Sequence, residues 1–290
     1  MKTKTPLTEL VSEFTAKQIS YLRRLRRKPL GFIGLIILLF WIVLALLSFF
    51  VTPYAPNQFS QDRFSPPSLT HPFGTDRWGR DVFSRVMAGS RTAFLLALSS
   101  TALGLVGGTM IGVTAGYFGG LIGEALGRFM DILMAFPALL LAMFILGVLG
   151  PGPGRVIFVI GLAHIPRIGR VARSAVLEIK NEEYIDAARV RGEGSIYIMS
   201  SELLPNIIDT LGVEAAIRFA YSIFLSASLG FLGLGVQPPT PDWGLMISEA
   251  RSYLQVAPWL AVFPALAIAS MVLSANFLAE SVEAISSGEI

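Results

Sequence analysis

Residues 30–51 contain no charged side chain, and this run constrains the chain more than any other feature. A backbone crossing a bilayer must satisfy its own N–H and C=O groups. A helix of about 20 apolar residues does so across a hydrocarbon core of about 30 Å. Arg23, Arg24, Arg26, Arg27 and Lys28 precede the run, and basic flanks stay on the cytoplasmic side. The sequence therefore predicts residues 1–29 as a cytoplasmic basic segment and 30–51 as a first transmembrane helix running outward. A cleaved signal peptide is the alternative. The run is longer than the roughly 7–15 apolar residues of a signal, and no A-x-A-like site follows it.

The pattern then repeats. Residues 52–91 are polar and rich in Pro and Gly, as an extracytoplasmic loop should be. Apolar segments follow at about 94–118, 129–149, 156–171, 207–234 and 259–278. Pro137 falls inside the second of these, which lipid tolerates when neighbours satisfy the freed carbonyl. The reading is an all-α integral membrane protein with about six transmembrane helices. Five of them form a core over residues 92–281, and 282–290 form a cytoplasmic tail. Alternation from an inside N-terminus leaves more Lys and Arg inside than outside. Arg63, Arg77, Arg80, Arg85 and Arg91 run against that bias, partly offset by Asp62, Asp76 and Asp81. The composition agrees, with only 15% charged residues against about 25% in soluble domains.

Several classes of function are excluded. The chain has no cysteine, so disulfides, thiolate chemistry and Cys-based metal sites are ruled out. His71 and His164 are its only histidines, too few for a His-rich metal site, and His164 reads as a buried hydrogen-bonding residue. Basic residues concentrate before residue 29 rather than on a folded face, which argues against nucleic acid as a partner.

Three patterns stand out. Gly104, Gly108, Gly112, Gly116 and Gly120 recur every four residues, which places them on one helix face where another helix can approach closely. Packing within the chain and a dimer seam both fit that face. Residues 172–205 are too charged to span. They read as a short helix at 182–190, a break at Gly192, and a second helix halted by Pro205. On the first helix, Ala187 and Ala188 leave a bare patch beside Asp186 and Arg189, suited either to a docking knob or to a solvated linker. The third pattern is Glu214 and Arg218 inside an apolar segment. An ionised side chain at the bilayer centre costs about 2.5–3.5 kcal/mol, and four-residue spacing lets the two pair on one face. Either they form a self-satisfied ion pair, or they line a pathway and touch polar cargo.

The segment EYIDAARVRG at 183–192, with Leu204 and Pro205 beyond it, resembles the EAA loop of ABC-importer permeases. Other stretches resemble the second permease subunit of dipeptide, oligopeptide and nickel importers. They are FGTDRWGRDVFSR at 73–85, GYFGG at 116–120, Arg128, Asp131, PALLLA at 137–142 and LGFLGLGVQPPTPDWG at 229–244. The resemblance covers about residues 20–280 and implies the ABC importer permease fold with a cytoplasmic coupling helix. It implies that Glu183, Asp186, Ala187, Ala188, Arg189, Gly192, Leu204 and Pro205 meet an ATPase. It also implies a heterodimer with a homologous permease, two ATPase subunits and an extracytoplasmic substrate-binding protein, in a bacterial cytoplasmic (inner) membrane with both termini cytoplasmic. The chain lacks a G-x-x-x-x-G-K-[ST] phosphate loop, so no enzymatic activity or cofactor is expected in it, and ATP and Mg belong to the partner ATPases.

The chain departs from the family pattern at Gly123, at Gly127 before Arg128, at Val190, Arg191 and Glu193 around the Gly192 break, and at Ala279 and Glu280. Its tail is acidic, with Glu283 and Glu289. Glu214 and Arg218 replace residues that are usually apolar. Two rival readings are an ion-driven secondary transporter, which would show inverted repeats and ion-binding broken spans, and a structural membrane component without a pathway. The cargo is not legible: dipeptides, oligopeptides, glutathione-like compounds and nickel chelates all fit.

Overall fold

A computed structural model describes residues 28–286 of the chain. The basic segment before Lys28, and residues 287–290 with Glu289, lie outside the described residues. The helices are α1 Pro29–Leu47, α2 Val82–Phe118, α3 Gly120–Met134, α4 Ala138–Leu149, α5 Pro153–Ile179, α6 Glu183–Val190, α7 Leu204–Phe231, α8 Trp243–Ala250 and α9 Trp259–Ser286. A single turn at Ser195–Tyr197 and a π-helical stretch at Ile198–Leu203 lead into α7. Among the described residues the one β feature is an isolated bridge between Thr75 and Asp81.

By length and composition α1, α2 and α9 can each cross a bilayer, and α3 with α4 makes a fourth candidate as a span broken by an 83° bend. The break explains why the expected continuous span at 129–149 is absent. Pro137 has no N–H, and the residue before a proline is driven out of the α region, so the chain kinks at Phe136–Pro137 and restarts. Helices α5 and α7 match the others in length but are more polar, and with them the count comes to about six.

The centre of the fold is the contact of α2 with α5. A Cβ on Gly104 would stand 2.6 Å from the His164 Cβ, one on Gly108 2.7 Å from the Ile168 Cβ, and one on Gly116 2.8 Å from Val176 Cγ1. The glycine face therefore packs within the chain, with α5 contributing its own small residues at Gly161, Gly169 and Ala172. Gly120 is not part of that face. α2 stops at Phe118, and Gly119 and Gly120 take φ of 60° and 47° to turn the chain into α3; this left-handed region costs glycine little.

α1 lies on α9, where Trp41 Nε1 donates to Ser270 Oγ at 3.0 Å. α2 begins at Val82 rather than near residue 94, because Asp81 caps it and accepts from the Ser84 N–H at 2.7 Å. The loop at 52–81 folds over this end of the bundle. Asp76 accepts from Arg80 Nε at 2.5 Å, and the same guanidinium reaches Glu249 of α8 at 3.1 Å. Phe73 stacks on Phe263 of α9 at 3.8 Å, and Trp243 Nε1 donates to the Val86 carbonyl at 2.9 Å. The 73–85 stretch thus joins loop, α2, α8 and α9 at what is here termed the loop end of the bundle. The opposite end carries α6.

Candidate functional site

The EAA-like segment is an eight-residue helix with Glu183 and Asp186 in its first turn and Arg189 in its last, the charge order that the helix dipole favours. It ends as a Schellman motif. The Gly192 N–H donates to the Arg189 carbonyl at 2.9 Å and the Glu193 N–H to the Ala188 carbonyl at 3.2 Å. That closure needs a left-handed residue, and Gly192 supplies it with φ of 81°. Arg189 donates to Asp186 at 2.7 Å and to the Lys180 carbonyl at 3.3 Å. Lys180 Nζ in turn donates to the Gly116 carbonyl at 3.3 Å, so α6 is tied to the far ends of α5 and α2.

The expectation of a bare Ala187–Ala188 patch is corrected at Ala188. Ile185 and Ala188 are both fully buried, among Ile168, Val176, Ile198 and Leu203. They lie three residues apart and form the inward stripe of α6. Glu183, Asp186, Ala187, Arg189 and Val190 face outward, and Val190 is 88% exposed. The apolar contact surface therefore centres on Ala187 and Val190. The i, i+3 spacing of Ile185 and Ala188 was the signal that would have shown this.

Pro205 is corrected too: it halts no helix. It occupies the first turn of α7, where a missing N–H is harmless. The π-helical stretch before it bonds five residues back, with the Leu204 N–H reaching the Met199 carbonyl, and runs into α7 unbroken. Leu204 is half-buried and Pro205 exposed. The same rod thus carries Leu204 and Pro205 near α6 and Glu214 and Arg218 farther along.

On α7, Arg218 Nε lies 2.7 Å from Glu214 Oε1, with both side chains nearly buried. The pair forms, but its angle falls short of a hydrogen bond, and neither of these two atoms has another partner among the described residues. One turn beyond, Ser222 Oγ sits 2.7 Å from His164 Nε2 of α5 and 3.3 Å from Thr101 Oγ1 of α2. His164 is buried and hydrogen-bonded as expected. The structure brings Glu214 and Arg218 close to this three-helix polar contact and keeps them far along α7 from the α6 group. The polar belt was not legible as a unit, because Thr101, His164 and Ser222 are distant in sequence.

Residues 108–286 match the model of the family described as binding-protein-dependent transport system inner membrane component. Residues 20–67 match the N-terminal TM domain of oligopeptide transport permease C. The chain is 37% identical over 260 residues to the dipeptide transport system permease protein DppC of Alkalihalophilus pseudofirmus, covering 89% of this chain and 85% of that protein. It is 39% identical to a di/tripeptide permease DppC of Pseudomonas aeruginosa, covering 85% and 84%. To the glutathione transport system permease protein GsiD of Escherichia coli it is 38% identical, covering 89% and 86%. A chain from the MetNI methionine ABC transporter, solved in inward-facing conformations, superposes with a TM-score of 0.52 at 19% identity over 68% of this chain and 96% of that one; this likeness concerns the fold. The family match and these relatives, each spanning most of the chain, identify it as a member of the inner membrane components of binding-protein-dependent transport systems.

Proposed function

We propose that this chain is one permease of a heterodimeric ABC importer for peptides or similar small polar solutes. It is coupled to two ATPase subunits through residues 182–205 and supplied by an extracytoplasmic binding protein. On this reading residues 1–29 and the tail face the cytoplasm, as does α6, and the 52–81 loop faces outward. ATP and Mg²⁺ act in the partner ATPases. This chain performs no covalent step, and transport is alternating access of the bundle.

The observation that carries the reading is the mechanical layout of α6. Its inner stripe, Ile185 and Ala188, is locked into the core beside α5 and the π-helical start of α7. Its outer stripe presents Ala187 and Val190 among charges of both signs. A push on the outer stripe is therefore delivered to α7, the helix that bears Glu214 and Arg218. Under the same reading these two line the pathway.

The two stripes make the test. Ala187→Arg should leave assembly and thermal stability unchanged while ATP-driven uptake in proteoliposomes collapses. Ala188→Leu overfills a closed core and should lower stability by about 1–3 kcal/mol. Normal uptake in the Ala187 variant would sink the docking role. Uptake that persists without the ATPases would favour an ion-driven transporter instead.

A further inference from the structure

Arg167 is the charge that the polar belt leaves over. It lies on α5 one turn from His164, toward the α6 end, and its side chain is exposed. His164 and Ser222 meet about 15 Å along α5 and α7 from the loop end, at 1.5 Å per residue, halfway through a hydrocarbon core of about 30 Å. The Arg167 guanidinium stands over the Tyr221 ring of α7, with 5.8 Å between Cζ and the ring centroid. No carboxylate among the described residues pairs with it; the nearby Glu214 is engaged by Arg218. Arg167, Arg218 and Glu214 together thus carry one uncompensated positive charge at a depth where unpaired charge is costly. Such residues face a water-filled cavity or an anionic partner.

We propose that Arg167 receives an anionic group of the cargo, in the first instance the terminal carboxylate of a peptide, as it passes the middle of the bilayer. A guanidinium is suited to this role. It is planar, always protonated, and donates in a fork that matches a carboxylate, and the Tyr221 face beneath it holds it in place without neutralising it. The pathway helix α7 supplies that ring, so the guanidinium sits at the α5–α7 seam. The inference rests on the pathway reading above.

The test uses the complete transporter with its ATPases and binding protein in proteoliposomes. Uptake of a labelled dipeptide is compared with that of its C-terminal amide, both at concentrations that saturate the binding protein, for wild type, Arg167→Gln and Arg167→Lys. Comparing variants on one binding protein cancels that protein's own preference. The acid-to-amide uptake ratio should fall about tenfold or more in Arg167→Gln, the order of a lost charge-assisted hydrogen bond, and recover in large part in Arg167→Lys. An unchanged ratio in a working transporter overturns the inference alone. Loss of assembly in Arg167→Gln on size-exclusion chromatography would assign the guanidinium to a carboxylate of the second permease and also overturn it. Failure of wild type to take up either form overturns the pathway reading, and this inference with it.

Discussion

Replacing Gly112 with alanine should disrupt the α2–α5 seam, and the geometry sets the size of the effect. A Cβ there would stand 2.7 Å from the Ala172 Cβ and closer still to the Gly169 carbonyl oxygen, whereas ordinary contact begins near 3.4 Å. Both obstacles are part of α5 itself, not the far end of a side chain. The helices must part by most of an ångström, and a gap of about 0.5–1 Å forfeits a quarter to a half of each dispersion contact across it. The cost should fall at the upper end of the roughly 1–3 kcal/mol typical of overpacking, against the gain of up to about 1 kcal/mol that Ala has over Gly in a helix. Gly107→Ala is the control. Its Cβ would meet only the outer part of the Ile165 side chain, Cδ1 at 2.9 Å and Cγ1 at 3.1 Å, and a side chain can give way where a helix backbone cannot. The assay is thermal unfolding of the purified complex in detergent. Gly112→Ala should melt several degrees below wild type and Gly107→Ala at or above it. Equal midpoints for the two variants would refute the close-packing argument.

Two further outcomes follow from buried charge. Asp242 caps α8 in the loop after α7, and burial raises its carboxyl to about pKa 6, partly offset by backbone hydrogen bonds from Leu245 and Gly244. A raised folded pKa means that the folded state holds its proton longer, so this contribution to stability is complete below about pH 4 and is lost as pH rises through 6. The melting temperature of wild type should therefore fall between pH 4 and 7 relative to Asp242→Asn, which keeps the cap; parallel curves would contradict the assignment. On α7, Glu214→Leu alone should impair assembly by stranding Arg218, and adding Arg218→Leu should restore it. Full recovery of transport in that double variant would remove both residues from the pathway.

The helical class and the approximate positions of the spans were legible because a bilayer imposes a length and an apolarity that show directly in the sequence. The true start of α2 was not. Its first turns carry Arg85 and Arg91 and look like loop, and they are helical because Asp81 caps them and because Arg85 finds Asn57 and the Pro56 carbonyl. Pro137 was seen, but whether a proline kinks or breaks a span depends on neighbours that a one-dimensional reading cannot supply. The EAA-like helix folds within a residue of the span its sequence predicts, and the expected bare patch fails at one residue, Ala188, which is buried. Composition shows that Ala187 and Ala188 are both small, while only the rotation of α6 against Ile198 and Leu203 decides which of them is covered. Of the polar belt, the i, i+4 pair and the burial of His164 were legible, but its partners Thr101 and Ser222 were not, since they are ordinary hydroxyl residues far from it in sequence.

The 52–81 loop lacks a regular element apart from one bridge, yet its polar atoms are widely engaged by its own turns and by α2, α8 and α9. It stands clear at 57–59 and 61–63 and, over its longest exposed run, at the tip 66–70, with Leu69 fully exposed. A protease reaching this end of the bundle would therefore find its longest exposed stretch at that tip. Because Phe64 packs on Tyr253 on one side of the tip and Phe73 on Phe263 on the other, a chain severed there would stay assembled. The tip is accordingly the position in this loop where an epitope or a reporter tag would disturb the bundle least.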